Sequence, residues 1–193
     1  MSSSGTAQRV SPTAARGAAT LPSDFETLYD QHFDFVWANA RRLGVSPAHI
    51  DDAVQDVFLA VYRRLSEFRG DASIKTWLFH FVMRVAATYR RGASSTQRKN
   101  DEHAAEPVSG VHTPHALVEG KQATELMYRL LGELSDERRE LFVLVELEGV
   151  SVAEAAQALS LNNNTAHSRL RDARRDFEQA VERERAREDW RTR

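Results

Sequence analysis

Asp52 and Asp56 stand four residues apart in the stretch IDDAVQDVFLAVYRRL, with Gln55 between them and Leu59 following. Ala53, Val54, Val57, Phe58, Val61 and Leu65 recur there at three- and four-residue spacing. That is one face of a helix, so the two carboxylates lie on the opposite, outward face. Like charges one turn apart repel by about a few tenths of a kcal/mol. No Lys or Arg falls between Asp51 and Tyr62 to offset them. A second group of residues follows at 73–91, where Lys75, Thr76, Phe79, His80, Met83, Arg84, Ala87 and Arg91 share a helical face. Cations interleaved with an aromatic suit single-stranded nucleic acid, because the cations track phosphates and the ring accepts an unstacked base. The plainer reading is a solvated basic face with Phe79 and Trp77 in the core, and Trp77 does lie on the apolar stripe. The loop Phe68–Ser73 just before this helix offers polar groups and backbone amides that suit an extruded base.

A third group lies in SVAEAAQALSLNNNTAHSRLRDARR, 151–175. Ala155, Ala156 and Ala158 let a second helix cross closely, and Ser160–Asn163 form a turn. Leu161 plugs the gap between the helices, and Ala166 and Leu170 face inward. Asn163, Asn164, Thr165, His167, Ser168 and Arg171 then open and line the outward face of a helix sized for the major groove. Asn pairs bidentately with adenine edges and Arg with guanine edges. Arg169, Arg174 and Arg175 are placed for phosphates, which supply affinity rather than sequence information. Many such motifs carry Gly at the position Ser160 holds, and the competing reading is a helical hairpin with a solvated basic face.

These groups need helices to position them. Ser23 with Glu26 is a capping box for a helix to about Leu43, stopped by Gly44. Ser46 caps the next helix, with Pro47 in its first turn, and this helix ends near Phe68. A turn at 69–71 leads to a helix from about Ser73 to Arg91, striped by Ile74, Trp77, Leu78, Phe81, Val82, Val85, Ala86 and Tyr89. Residues 92–115 carry Gly, Ser, Pro and charge without a period and read as a flexible linker from about 96. Helical periodicity resumes over 116–134. Ser135 caps a helix over 136–148, ended by Gly149, and Ser151 with Glu154 opens the short helix Val152–Leu159. The last helix starts near Asn164 and runs through Arg175 or further. The expected organisation is all-α: a tail at 1–22, a helical domain at 23–95, a linker at 96–115, a helix-turn-helix domain at 116–180 and a solvated tail at 181–193.

The chain has 193 residues, a net charge of −2 and no Cys. Disulfides and thiolate metal sites are therefore absent. His80, His112 and His115 form no convincing metal set, no cofactor is implied, and no Gly-rich phosphate loop or Ser/His/Asp grouping suggests an enzyme. The N-terminal stretch lacks the apolar region of a secretory signal and reads as a disordered tail rather than a transit peptide. No apolar run is long enough to span a bilayer, which fits a cytosolic protein. Charge is divided along the chain. Residues 23–56 hold seven acids and two bases, and 63–99 hold nine bases and two acids. That division suits a protein that holds a basic protein partner and a nucleic acid at once.

The block IDDAVQDVFLAVYRRLSEFRGDASIKTWLFHFVMRVAATYRR resembles region 2 of the extracytoplasmic-function (ECF) sigma factors of bacterial RNA polymerase. LSDERRELFVLVELEGVSVAEAAQALSLNNNTAHSRLRDARR resembles their region 4. The two blocks stand in the family's order, with a linker between them and neither region 1.1 nor region 3. The resemblance implies a cytoplasmic bacterial protein that directs core RNA polymerase to promoters. Its partners are then the polymerase clamp helices and flap, promoter DNA and an anti-sigma factor, without membrane insertion. It implies that Asp52, Gln55, Asp56 and Leu59 dock on the clamp helices. It assigns Phe68, Arg69, Ser73, Lys75, Thr76, His80, Arg84 and Arg91 to the −10 element, where a base is flipped out. Residues 151–175 would read the −35 duplex. The chain departs from the pattern at Arg84, where the family often has Asn, at His167, where it often has Lys or Arg, and at Asp172, where a base is common. Promoter sequences of better-known members therefore do not transfer. The alternative is a stand-alone helix-turn-helix regulator, which leaves the Asp52/Asp56 face without a purpose, as does a purely structural helical adaptor.

Overall fold

A computed structural model describes residues 25–97 and 115–191, and among these every regular element is helical. Helices α1 (Phe25–Arg42), α2 (Ile50–Arg64) and α3 (Ile74–Gln97) form one group. Helices α4 (His115–Gly132), α5 (Asp136–Phe142), α6 (Val152–Ala158) and α7 (Asn163–Arg191) form the second. Ser23, the expected tail at 1–22 and residues 98–114 of the expected linker lie outside the described residues, whereas the expected tail at 181–193 is described through Arg191.

The stripe of α2 is buried as its spacing requires, with Ala53, Val54, Val57, Phe58 and Val61 against α1 and α3. Gly44 ends the α1 turn with φ +90°, a conformation natural to glycine, and Gly149 does the same after α5 at φ +70°. A 3-10 turn at Pro47–His49 precedes α2, and Ser46 gives it no side-chain cap. Ser73 does cap α3, accepting from the Thr76 N–H at 3.0 Å.

Several boundaries differ from the sequence expectation, each for a local reason. Helix α3 continues to Gln97 rather than stopping at about Arg91, since Gly92 alone costs a helix only about 1 kcal/mol. Helix α5 does not run regularly to Glu148. It widens into a π turn at Val143–Leu147, and Ser135 makes no side-chain cap. The cap of α7 is Asn162, whose side chain accepts from the Thr165 N–H at 2.7 Å, so the helix starts at Asn163. Helix α7 continues to Arg191. Its C-terminal part is anchored on α4 where the buried Glu184 accepts from Arg129 at 3.1 Å.

The largest departure is between the groups. Sequence reading leaves a tether as their only connection, yet one hydrophobic core holds buried residues of both. Leu43 and Val45 belong to the same cluster as Leu131, Leu134 and Leu141.

Candidate nucleic-acid and polymerase interfaces

Asp52, Gln55, Asp56 and Leu59 are all exposed on α2, on the face opposite its buried stripe. Neither aspartate enters an ion pair among the described residues. Asp56 accepts a hydrogen bond from the Tyr89 hydroxyl of α3 at 2.8 Å. Burial first, and then the bond to and charge of Asp56, push the Tyr89 phenol up to about 12. Beside this face runs a cleft of about 500 Å³ lined by Phe25, Tyr29, Phe33, Phe58, Leu59 and Tyr62, with Asp51 and Gln55 at its edge. Tyr62 is 64% exposed and Leu59 46%. Sequence reading missed this groove. The signal was present in Tyr62 and Leu59 on the polar side of α2, where large apolar groups have no core to fill.

The single-strand candidates divide by burial. Arg69, Ser73, Lys75, Arg84 and Arg91 are exposed, and His80 is half-buried. Phe68 and Thr76 are buried. Phe68 packs edge-on against Trp77, at 5.2 Å between centroids, and Trp77 packs against Phe81 at 4.8 Å. Phe79 is 1% exposed and so is core, not a stacking platform. Spacing alone could not separate it from the outward face because α3 is enclosed on more than one side. Lys75 lies over the Phe35 ring at 5.6 Å. Burial, and secondarily Arg84, lower the His80 pKa below its usual value. The neutral imidazole is thus favoured beside the cation. The loop over 67–72 and the start of α3 enclose a cleft of about 270 Å³, lined by Phe68, Arg69, Gly70, Thr76, Trp77 and His80.

In the second group, Asn163, Asn164, His167 and Arg171 are exposed at the start of α7, and Thr165 and Ser168 are half-buried. Ala166 and Leu170 are buried against the core. Ser160 holds φ +54° in the turn, the left-handed conformation that glycine adopts without cost. The candidate phosphate contacts are held by carboxylates: Arg169 by Glu137 at 2.7 Å, Arg174 by Glu146 at 2.6 Å and Arg175 by Asp172 at 3.1 Å. Arg171 enters no ion pair among the described residues. Ser151 caps α6 by accepting from the Glu154 N–H at 3.2 Å. The other half of the expected capping box is not made, because the Glu154 carboxylate accepts from Thr76 Oγ1 at 2.8 Å instead. Of the three histidines, His112 lies outside the described residues, and His115 opens α4, far along the chain from His80.

The three-helix unit with its acidic outward face and the helix-turn-helix that follows it each match a family of sigma-70 transcription initiation factors. The Sigma-70 region 2 family matches residues 28–96, and Sigma-70, region 4 matches 124–177. RNA polymerase sigma factor NccH of Alcaligenes xylosoxydans xylosoxydans is 30% identical over 164 residues, covering 83% of this chain and 88% of that protein. The ECF RNA polymerase sigma-E factor of Escherichia coli K12 is 26% identical over 146 residues, covering 72% and 76%. Two solved structures share the fold. RpoE of Bartonella quintana, in complex with the anti-sigma factor NepR, has a TM-score of 0.65 at 20% identity and covers 83% of this chain and 98% of its own. CnrH in complex with the cytosolic domain of CnrY has 0.61 at 23%, covering 82% and 87%. The chain belongs to the ECF RNA polymerase sigma factors, which direct promoter-specific transcription. Such factors are not themselves enzymes. No helix among the described residues is long and apolar enough to cross a membrane.

Proposed function

We propose that the outward face of α2, with Asp52, Gln55, Asp56 and Leu59, docks on the clamp helices of core RNA polymerase. The neighbouring aromatic groove extends that surface. The observation carrying this reading is that two carboxylates one turn apart, free of ion pairs among the described residues, adjoin exposed Leu59 and Tyr62. Charge then steers the encounter and the apolar groove supplies affinity. The cleft of loop 67–72 and α3 takes an unstacked base of the −10 strand, with Arg69, Lys75 and Arg84 as phosphate contacts. The exposed start of α7 reads the −35 duplex through Asn163, Asn164 and Arg171, while Arg169, Arg174 and Arg175 exchange carboxylate for phosphate. The solved neighbours bound to NepR and CnrY support an anti-sigma factor as a further partner. A promoter-directed role fits the bacterial cytoplasm.

The double variant Asp52→Arg/Asp56→Arg is expected to weaken binding to core polymerase at least about tenfold, the equivalent of 1.4 kcal/mol. Its circular dichroism should be unchanged, because both side chains lie outside the core. Wild-type affinity in the folded double variant removes the assignment. A stand-alone regulator would show no polymerase binding from the start.

A further inference from the structure

The reading half of α7 is flanked by carboxylates as well as by arginines. Asp172 and Asp176 lie one turn apart on the side of α7 that packs along α5. Arg138 of α5 reaches across to both: it pairs with Asp176, and its guanidinium lies 3.7 Å from the Asp172 carboxylate. Arg175 pairs with Asp172 at 3.1 Å and reaches Asp176 at 3.8 Å. Two arginines and two carboxylates thus form one network, and Arg138 stands level with Arg175 along α7. The two arginines are held differently. The Arg175 side chain is 58% exposed, and when it leaves, Asp172 keeps Arg138 as a partner. Arg138 is 36% exposed, comes from the neighbouring helix and lies against both carboxylates.

We propose that Arg138 is a conditional phosphate contact: Asp172 and Asp176 hold it off a random duplex and yield it only when α7 is seated on its preferred sequence. This rests on the −35 reading of α7 above. Ion pairs this exposed are weak, so an arginine leaves its carboxylate readily for a phosphate held in the right place. Arg175 has one close carboxylate and makes that exchange on any duplex. Arg138 must leave two, and once Arg175 has gone both carboxylates bear on Arg138 alone. It therefore needs a phosphate fixed within its reach. Base contacts by Asn163, Asn164 and Arg171 fix the register of the duplex, and with it the position of that phosphate. Arg138 thus adds to the preference between sequences without touching a base, and the carboxylates keep that contribution from random DNA.

The test titrates the full-length chain onto fluorescein-labelled duplexes of about 20 base pairs, two helical turns, by anisotropy over a range of salt concentrations. One duplex has mixed sequence. The other carries the sequence that the wild-type chain enriches from a randomised pool. Arg138→Ala is expected to flatten the log–log salt slope on the enriched duplex by about one and to leave the mixed duplex unchanged, so that the preference falls about threefold at low salt. Asp172→Asn/Asp176→Asn should steepen the mixed-duplex slope by about one, and adding Arg138→Ala should take that gain back. Glu182→Gln changes one charge at an exposed position of α7 outside the network and should move neither slope. The two approaches, from the cation and from the carboxylates, each decide the matter if the other variant fails to fold by far-UV circular dichroism. Equal flattening on both duplexes makes Arg138 an ordinary phosphate contact and overturns the proposal, and no flattening on either overturns it as well. A mixed-duplex slope unchanged in the folded double variant, or steepened as much by Glu182→Gln, removes the hold of the carboxylates and the proposal with it. If the pool enriches no sequence, the −35 reading itself fails and takes the proposal with it, whereas the double variant on mixed duplex still reads whether the carboxylates restrain Arg138.

Discussion

Gly44 tests the packing of the two groups with a single methyl group. A Cβ there would lie 2.7 Å from Arg139 Nη1 and 3.1 Å from Arg90 Cδ, and the backbone holds φ +90°. The far end of a free arginine would move aside. Arg139 is not free: its guanidinium donates to the carbonyls of Leu131 at 2.7 Å, Gly132 at 3.0 Å and Leu134 at 2.9 Å. Those bonds give partners to the carbonyls of Gly132 and Leu134, at the end of α4 and just past it, and a second donor to that of Leu131, which also accepts from the Leu134 N–H. Arg90 is held by Asp136 and by the Leu43 carbonyl. Gly44→Ala therefore carries two costs. The left-handed backbone costs about 1–2 kcal/mol, and the steric intrusion adds about 1–3 kcal/mol by analogy with overpacked cores. Gly149 and Gly70 are matched controls, with φ +70° and +74° and nothing within 4 Å of the added Cβ. Their Ala variants should show the backbone cost alone, reduced by about 0.4–1 kcal/mol through the stiffer unfolded chain. Urea unfolding followed by circular dichroism gives the three values. If Gly44→Ala costs no more than the other two, Arg139 does not press on the end of α1 and the packed arrangement is wrong.

Ser160→Gly should stabilise the protein by about 0.5–1 kcal/mol, because glycine removes the left-handed strain at φ +54° and returns only part of it as unfolded-state entropy; an unchanged or lower urea midpoint counts against that backbone geometry. Burial, and secondarily Lys75 and Arg84 respectively, lower the pKa values of His32 and His80 from 6.5. Below about pH 6.5 the unfolded chain thus takes up protons that the folded chain refuses, and stability falls as pH drops from 7 to 6. Burial raises the Glu140 pKa, which acts in the opposite sense at lower pH, so the slope is read in that upper window, where His80→Gln should flatten it. Asn164→Ala and Arg171→Ala should each lose about 1–3 kcal/mol of discrimination between promoter and random duplex. Arg175→Ala should weaken both duplexes alike and reduce the salt slope by about one, and equal losses for all three variants would remove base readout from the first two.

Features set by local periodicity were legible in the sequence. The stripe and acidic face of α2 follow from spacing alone, as does the inward pair Ala166 and Leu170 on α7. Ser160 stood out as a non-glycine in a turn that favours glycine. Features set by distant partners were not legible. Asn39 and Glu148 are 109 residues apart, and nothing near either one announces the other. Arg139 carries no local mark of the α4 carbonyls that it holds in the fold. Phe79 was misread because a helix enclosed on several sides loses the two-faced pattern from which orientation is inferred. Glu154 looked like the closing member of a capping box, and only the fold reveals a threonine from another helix competing for it.

That competition changes the energetics of opening. Glu154 already lends its N–H to Ser151, but its carboxylate serves Thr76 rather than the start of its own helix. When the groups separate, the carboxylate can swing back onto the Ser151 N–H three residues upstream and complete the reciprocal cap. One acceptor exchanges one donor for another of similar strength. Breaking this contact is then nearly thermoneutral, and it leaves α6 better capped at the moment the helix-turn-helix must stand alone. Glu148 has no such exchange within its own segment, since its partners Asn39 and Arg42 both lie on α1, and the pairs of Arg41 with Glu125 and of Arg90 with Asp136 share the resistance with it.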